Sequence, residues 1–151
     1  MPYGRIMNTD LTPVPVNPAA LPAPRGYSHG TLSGNTVHLG GQTALDENMQ
    51  IVPGDIVEQF RQAFGNVLTT LREVGGVAED LVSITIYLTD IPDYQAHGKE
   101  IGAVWRELAG PVYPAMAGIG TTELWQPEAM IEILGVAVIP DDRLVRPPAA
   151  K

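Results

Sequence analysis

One stretch constrains the fold more than any other. Between residues 56 and 74 the apolar side chains Ile56, Phe60, Ala63, Phe64, Val67, Leu68, Leu71 and Val74 recur at intervals of three and four. That spacing lays them along one side of a helix, and a helix with one apolar side must bury it. Asp55 stands where an N-cap belongs, Glu58 follows three residues on, and Gly75-Gly76 stops the run. Soon after, the pattern changes to LVSITIYL at Leu81–Leu88, with Val82, Ile84, Ile86 and Leu88 on one face of a strand. A helix and a strand so close in sequence, each with an apolar side, predict a helix laid on a sheet.

The remaining elements are short, as expected of a chain with 16 Gly and 14 Pro. Residues 27–32 and 36–42 read as strands joined by Ser33-Gly34-Asn35, and LDENMQIVPGD reads as a loop. Asp90-Ile91-Pro92-Asp93 opens a second helix over 94–108, with Ile101, Val104, Trp105 and Leu108 inward and Gly110-Pro111 at its end. Residues 115–122 and 130–139 are the last strands, separated by a loop that carries Trp125 and Pro127. The order ββαβαββ predicts an α+β sandwich, a mixed sheet with both helices on one face. Residues 1–26, with six prolines, read as an extended arm over the surface, 27–140 as the folded domain, and 141–151 as a frayed tail. Ser83, Thr85 and Tyr87 on the other sheet face are neither fully polar nor fully apolar, which suits a subunit interface better than water.

Composition removes several function classes. With no Cys, thiolate catalysis, disulfides and Cys-built metal sites are excluded. The longest apolar run, 133–139, is far short of the ~20 residues that span a bilayer, and the amino terminus lacks a signal-peptide pattern, so a soluble cytoplasmic protein without a membrane partner is expected. The chain carries −8, but 27–140 holds only Arg61, Arg72, Lys99 and Arg106 against fourteen carboxylates, a net of −10. Nucleic-acid binding rests on neutralising phosphates with Lys and Arg, so no nucleic-acid partner is expected.

Few residues stand out as chemistry. His29 and His38 sit on adjacent strands, but no ligand spacing accompanies them, and they read as structural or surface histidines. Gly118-Ile119-Gly120 lacks the third glycine and the helix of a dinucleotide fingerprint. No metal or cofactor is expected. Glu132 is different, because it is the sole charge in the strand MIEILGVAVI. A carboxylate there is solvated at an edge, paired across an interface, or lodged in a pocket that raises its pKa toward acid–base use.

Several motifs resemble the Rid family (YjgF/YER057c/UK114), whose founding members are enamine/imine deaminases. Gly26-Tyr27-Ser28 resembles its G-P-Y-S opening, and Gly40-Gly41-Gln42 its S-G-Q. The block EQFRQAFGNVLTTLREVGG followed by DLVSITIYLTD is close to its helix–strand core. Tyr113-Pro114-Ala115 and Ile131-Glu132-Ile133 are similar to its P-A-R-S and I-E-I ending. The likeness spans residues 25–140.

The resemblance implies a chorismate-mutase-like fold, a homotrimer whose sheets form an inner barrel, and clefts between subunits. It implies catalytic roles for Glu132, which positions water, and Tyr27, which lines the cleft. The family's carboxylate-clamping Arg is absent, since Met116 stands in its place, and Met offers no charged fork to a carboxylate. Gly40 replaces the family's Ser, and Gly98 an Asn of its second helix. The substrate-binding set is therefore expected to be Met116, Ala117, Gly41, Gln42 and Trp125, with Arg25 as the candidate counter-charge. The function expected is hydrolysis of a small imine or enamine without a clamped carboxylate. The alternative is a non-catalytic small-molecule-binding or regulatory trimer of the same fold.

Overall fold

A computed structural model describes residues 11–148. The six strands are β1 (Val14–Val16), β2 (Gly30–Ser33), β3 (Thr36–Gln42), β4 (Leu81–Leu88), β5 (Ala115–Gly120) and β6 (Ile131–Val138). They form one mixed sheet in the order β1-β2-β3-β6-β4-β5, in which only β4 and β5 run parallel. Three helices, α1 (Ile56–Glu73), α2 (Ile91–Ala96) and α3 (Gly98–Ala109), complete an α+β fold.

The long helix forms for the reasons its sequence states. Asp55 Oδ1 accepts from the backbone N–H groups of Val57 (3.0 Å) and Glu58 (3.2 Å), two donors a helix start otherwise leaves open. At the exit Gly75, at φ 84°, turns the chain so that its N–H reaches the Arg72 carbonyl and the Gly76 N–H that of Leu71. Phe60, Phe64, Val67 and Leu71 are buried against Leu32, Val37, Ile84, Ile131 and Ile133 of the sheet. Each such side chain contributes ~1.5–3 kcal/mol by leaving water. Phe64 stacks on Trp105 of α3 with ring centres 4.5 Å apart, and Trp105 stacks on Tyr113 at 5.1 Å.

Five expectations need correction. The strand expected from residue 27 begins at Gly30 as β2, because the His29 N–H bonds to the Asn17 side chain (2.9 Å) instead of a strand neighbour. The arm does not merely lie over the surface: Val14–Val16 adds an edge strand and Val16 is fully buried. Pro15 within it blunts that edge, since it offers no N–H for a further strand. The second helix is two, broken at His97, where Gly98 follows and the His97 ring bonds back to the Asp93 carbonyl (2.9 Å). Val82 leaves the inward face because a shift in the β4–β6 register between Leu81 and Ser83 buries Leu81 instead. Finally, the tail is tied down as far as it is described. Arg143 grips Asp80 with both guanidinium nitrogens (2.8 and 2.6 Å), Val145 N–H bonds to the Val74 carbonyl, and Arg146 reaches the Gly34 carbonyl. The rest of both termini, 1–10 and 149–151, lies outside the described residues.

Register decides what shows on the sheet's other side. Ala115, Ala117 and Ile119 of β5 pair with Ser83, Thr85 and Tyr87 of β4, and Val136, Leu134 and Glu132 of β6 lie in the same rows. Among the described residues no helix covers this face, and β5 is exposed along its whole length.

Candidate functional site

Glu132 sits between Ile131 and Ile133, both fully buried, so the alternation of a strand turns its carboxylate to the helix-free face. There it lies half-buried opposite Tyr87 of β4. Burial raises its pKa above the ordinary carboxylate value, and among the described residues no cation is within ion-pair reach.

The Gly-Gly pair of β3 explains how the carboxylate fits. The β3–β6 register shifts between Leu39 and Gln42, and Gly40-Gly41 fills that irregularity. Gly40 donates to the His29 carbonyl (2.7 Å), and a Cβ on it would crowd the carbonyls of Ser28 and His29. A Cβ on Gly41 would collide with Glu132 Oε1. The bare backbone of Gly41 is thus the cradle of the Glu132 carboxylate.

Behind the cradle stands a polar pair that the sequence did not announce. His29 is buried; its Nε2 donates to the Pro22 carbonyl (2.7 Å), which leaves Nδ1 to accept from the Gln42 amide (3.0 Å). The ring of Tyr27 meets that of His29 edge-on at 5.6 Å. Tyr27 itself is 54% exposed. Gln42, expected to touch substrate, is buried and donates its amide N–H to His29 Nδ1. The expectation that His29 is structural agrees with this geometry, whereas His38 is exposed and pairs in the ladder with Thr31.

The loop between β5 and β6 joins the same end of the sheet. Thr43 Oγ1 donates to Gln126 Oε1 (2.8 Å), next to Gln42 in sequence. The buried Gln59 side chain accepts from Met130 N–H (2.8 Å) and donates to the Glu128 carbonyl (3.0 Å). Both anchors hold the base of the loop, while Trp125 projects from it, 89% exposed. Arg25 is exposed on the opening segment and forms no ion pair among the described residues.

Met116 lies elsewhere. Its register partner is Ile84, an inward residue, so Met116 is on the helix side of β5 and Glu132 on the other. It lines a cavity of about 190 Å³ with Ile86, Leu88, Tyr94, Ala117 and Gly118. Ala117 shares the Glu132 face but is separated from β6 by β4. One protomer therefore sets Glu132 against Gly41 and does not bring Met116 to them. Tyr94 was not anticipated as a lining residue; burial raises its pKa above the ordinary phenol value.

Two other groupings are accounted for without chemistry. A larger groove, about 350 Å³, runs between α1 and α3 and holds Arg72 and Arg106. Both arginines sit in last helical turns, where a cation offsets the helix dipole. Asp55, His97 and Glu100 offer ligand atoms within 4.8 Å of one another. Asp55 is already spent capping α1, and the pKa of His97 is raised by the Asp93 carbonyl and by the charges of Asp93, Glu100 and Asp55.

Residues 18–139 match the family model described as Endoribonuclease L-PSP. The chain belongs to that family, the YjgF/Rid/UK114 group. It is 31% identical over 136 residues to a 2-iminobutanoate/2-iminopropanoate deaminase of Dermatophagoides farinae, covering 89% of this chain and 96% of the relative. It is 29% identical over 133 residues to a RutC family protein of Pyrococcus abyssi, covering 87% and 94%. Among solved structures, the YjgF gene product of E. coli superposes with a TM-score of 0.74 at 26% identity, covering 82% of this chain and 97% of that one. Yeast Mmf1 does so with 0.73 at 26% identity, covering 84% and 98%. The family thus includes imine deaminases. Among the described residues no helix is long and apolar enough to cross a membrane.

Proposed function

We propose that this Rid-family chain hydrolyses the C=N bond of a small imine or enamine lacking a carboxylate, at a site completed between protomers of a homotrimer with the chorismate-mutase-like arrangement. The observation that carries the reading is Glu132, a half-buried carboxylate with a raised pKa, no cation beside it among the described residues, and a glycine kept bare beneath it. Such a group holds a water and takes its proton as the oxygen adds to the imine carbon. The proton then passes to nitrogen and the C–N bond breaks, so that imine plus water becomes a carbonyl compound plus ammonia.

The trimer is supported by two features. The helix-free sheet face exposes Ile119, Val138 and Val82, and β5 leaves a long edge uncovered. Met116 and Glu132, on opposite sides of one sheet, become parts of one cleft only if different protomers supply them. In that cleft Tyr27, Gly41, Ala117 and Trp125 line the substrate, and Met116 takes the place of the family's carboxylate-binding Arg. The family's ribonuclease name is not extended to this chain, because a net of −10 over 27–140 opposes a polyanion. The alternative, a binding trimer without catalysis, draws its support from Met116 alone.

The test supplies two imines to the purified protein. Benzaldimine is generated in situ from benzylamine by an amine oxidase, and 2-iminobutanoate from 2-aminobutyrate by an amino-acid oxidase. Carbonyl formation should accelerate for the first, far less for the second, and for neither with Glu132→Gln. Acceleration of neither imine by the wild type would favour the binding trimer, and a preference for 2-iminobutanoate would overturn the altered-substrate reading.

A further inference from the structure

We propose that the cavity beside Met116 is an aryl pocket: it takes one neutral benzene-sized ring, and the Tyr94 hydroxyl favours a ring that carries a neutral polar substituent. The pocket belongs to a single protomer. Its role as the subsite for the substrate's side group, which makes aryl imines the substrate class, rests on the hydrolase reading above.

A missing side chain makes the space. Along β5, Met116, Gly118 and Gly120 share the helix side, in register with Ile84, Ile86 and Leu88 of β4. Ile91 of α2 closes the row at Gly120, where a Cβ would come within 3.1 Å of its Cδ1. A Cβ on Gly118 would meet nothing within 4 Å. The strand therefore leaves about 190 Å³ open beside the buried side chains of Ile86 and Leu88. An apolar cavity of roughly 150 Å³ holds one benzene, so a single ring fits here and a fused pair does not.

The lining decides the charge of the occupant. None of Ile86, Leu88, Tyr94, Met116, Ala117 and Gly118 is ionised at neutral pH. A carboxylate or ammonium placed among them would lose water without gaining a charged partner. The Met116 thioether and the Tyr94 ring both make favourable contacts with an aromatic ring, which tips the preference from alkyl to aryl.

Tyr94 supplies the only side-chain hydroxyl of the set. Its ring is held edge-on by Phe60 of α1, with centres 6.5 Å apart. Burial, with the nearby Tyr113 phenol, raises its pKa, so the hydroxyl keeps its proton. It forms no hydrogen bond among the described residues, which leaves it able to donate to a ligand or accept from one. A polar group left without a partner in an apolar pocket gains most from a ligand that supplies one.

Methyl NMR locates the ligand. With the methionines isotope-labelled at the methyl and Met116 assigned through Met116→Leu, three probes of one shape are titrated at neutral pH: para-cresol, toluene and para-toluate. Para-cresol should shift the Met116 methyl and bind about fivefold more tightly than toluene, with para-toluate weaker than para-cresol by about tenfold or more. Tyr94→Phe should erase the difference between para-cresol and toluene. Gly118→Leu, whose added side chain enters open space, should abolish binding of both. It should also lower turnover of benzaldimine relative to ethanimine, made in the same way from ethylamine, by about tenfold or more.

Equal binding of para-toluate, or an unmoved Met116 methyl, would overturn the inference. So would a wild type that binds no probe while Gly118→Leu fails to assemble, since a second copy of the chain then fills the pocket. An unchanged benzaldimine preference in Gly118→Leu would overturn the subsite role. Probe binding as expected without turnover of any imine would leave the pocket standing and sink the hydrolase reading.

Discussion

Asp80 and Glu132 are both carboxylates withdrawn from water, and the protein treats them in opposite ways. Asp80 caps the short turn before β4, accepting from Val77 N–H (2.8 Å), and is gripped by both nitrogens of Arg143. The Arg143 hydrogen bonds, with the Val77 N–H and the guanidinium charge, hold its pKa below the usual carboxylate value. Glu132 has a backbone cradle but no cation partner among the described residues, and burial pushes its pKa up. The pairing makes Asp80 part of the scaffold, closing the tail over the α1–β4 corner. Leaving Glu132 unpaired costs stability and keeps a proton acceptor free. An unpaired half-buried carboxylate is informative because the same chain shows how it neutralises one when structure is all that is required.

The contrast breaks most sharply at Glu132 itself. Glu132→Gln keeps shape and removes the base, so imine hydrolysis should fall about 100- to 10,000-fold while the melting temperature holds or rises. Rate assays alongside a thermal melt check it; a large drop in melting temperature would mean Glu132 is scaffold after all. Gly41→Ala, which thrusts a methyl into the carboxylate, should cost about a hundredfold in rate by displacing the base, with little change in assembly by light scattering. Met116→Arg gives the cleft the kind of partner that Asp80 has. Turnover of 2-iminobutanoate should then rise about tenfold or more, read in the same coupled assay.

At the other carboxylate the effect moves from rate to stability. Asp80→Asn leaves Arg143 without its ion-pair partner and should lower the melting temperature by several degrees, with imine turnover per folded molecule unchanged. The smallest effects are pH dependences of opposite sign. The folded pKa of Asp80 is depressed, so its contribution is present above the unfolded value of 3.8 and is lost as pH falls through the lower folded value. That of Glu132 is raised, so its contribution is full below 4.5 and is lost as pH rises through the higher folded value. Melting curves of Glu132→Gln against wild type should therefore diverge in favour of the variant above pH 4.5.

Most of the helical layer was legible because its information is local. The α1 face, its Asp55 cap and its glycine stop are all written within about twenty residues, and the structure repeats them. The lone charge in the last strand singled out Glu132 without any structure. The split at His97 and the displaced Val82 were not legible, since each depends on a single residue's backbone geometry rather than on a periodic pattern.

By itself, then, the sequence determined the apolar side of the long helix, the succession of the main strands and helices between residues 30 and 139, the excess of negative charge and the residue types available for chemistry. Tertiary structure alone decided the meetings between them: Arg143 with Asp80, His29 with Gln42, Gly41 under Glu132, and Met116 on the far side of the sheet from the carboxylate it was expected to join. The reason is physical. Side-chain periodicity reports where a residue points relative to its own element, whereas strand register and packing, set by contacts distant in sequence, determine which of those directions converge.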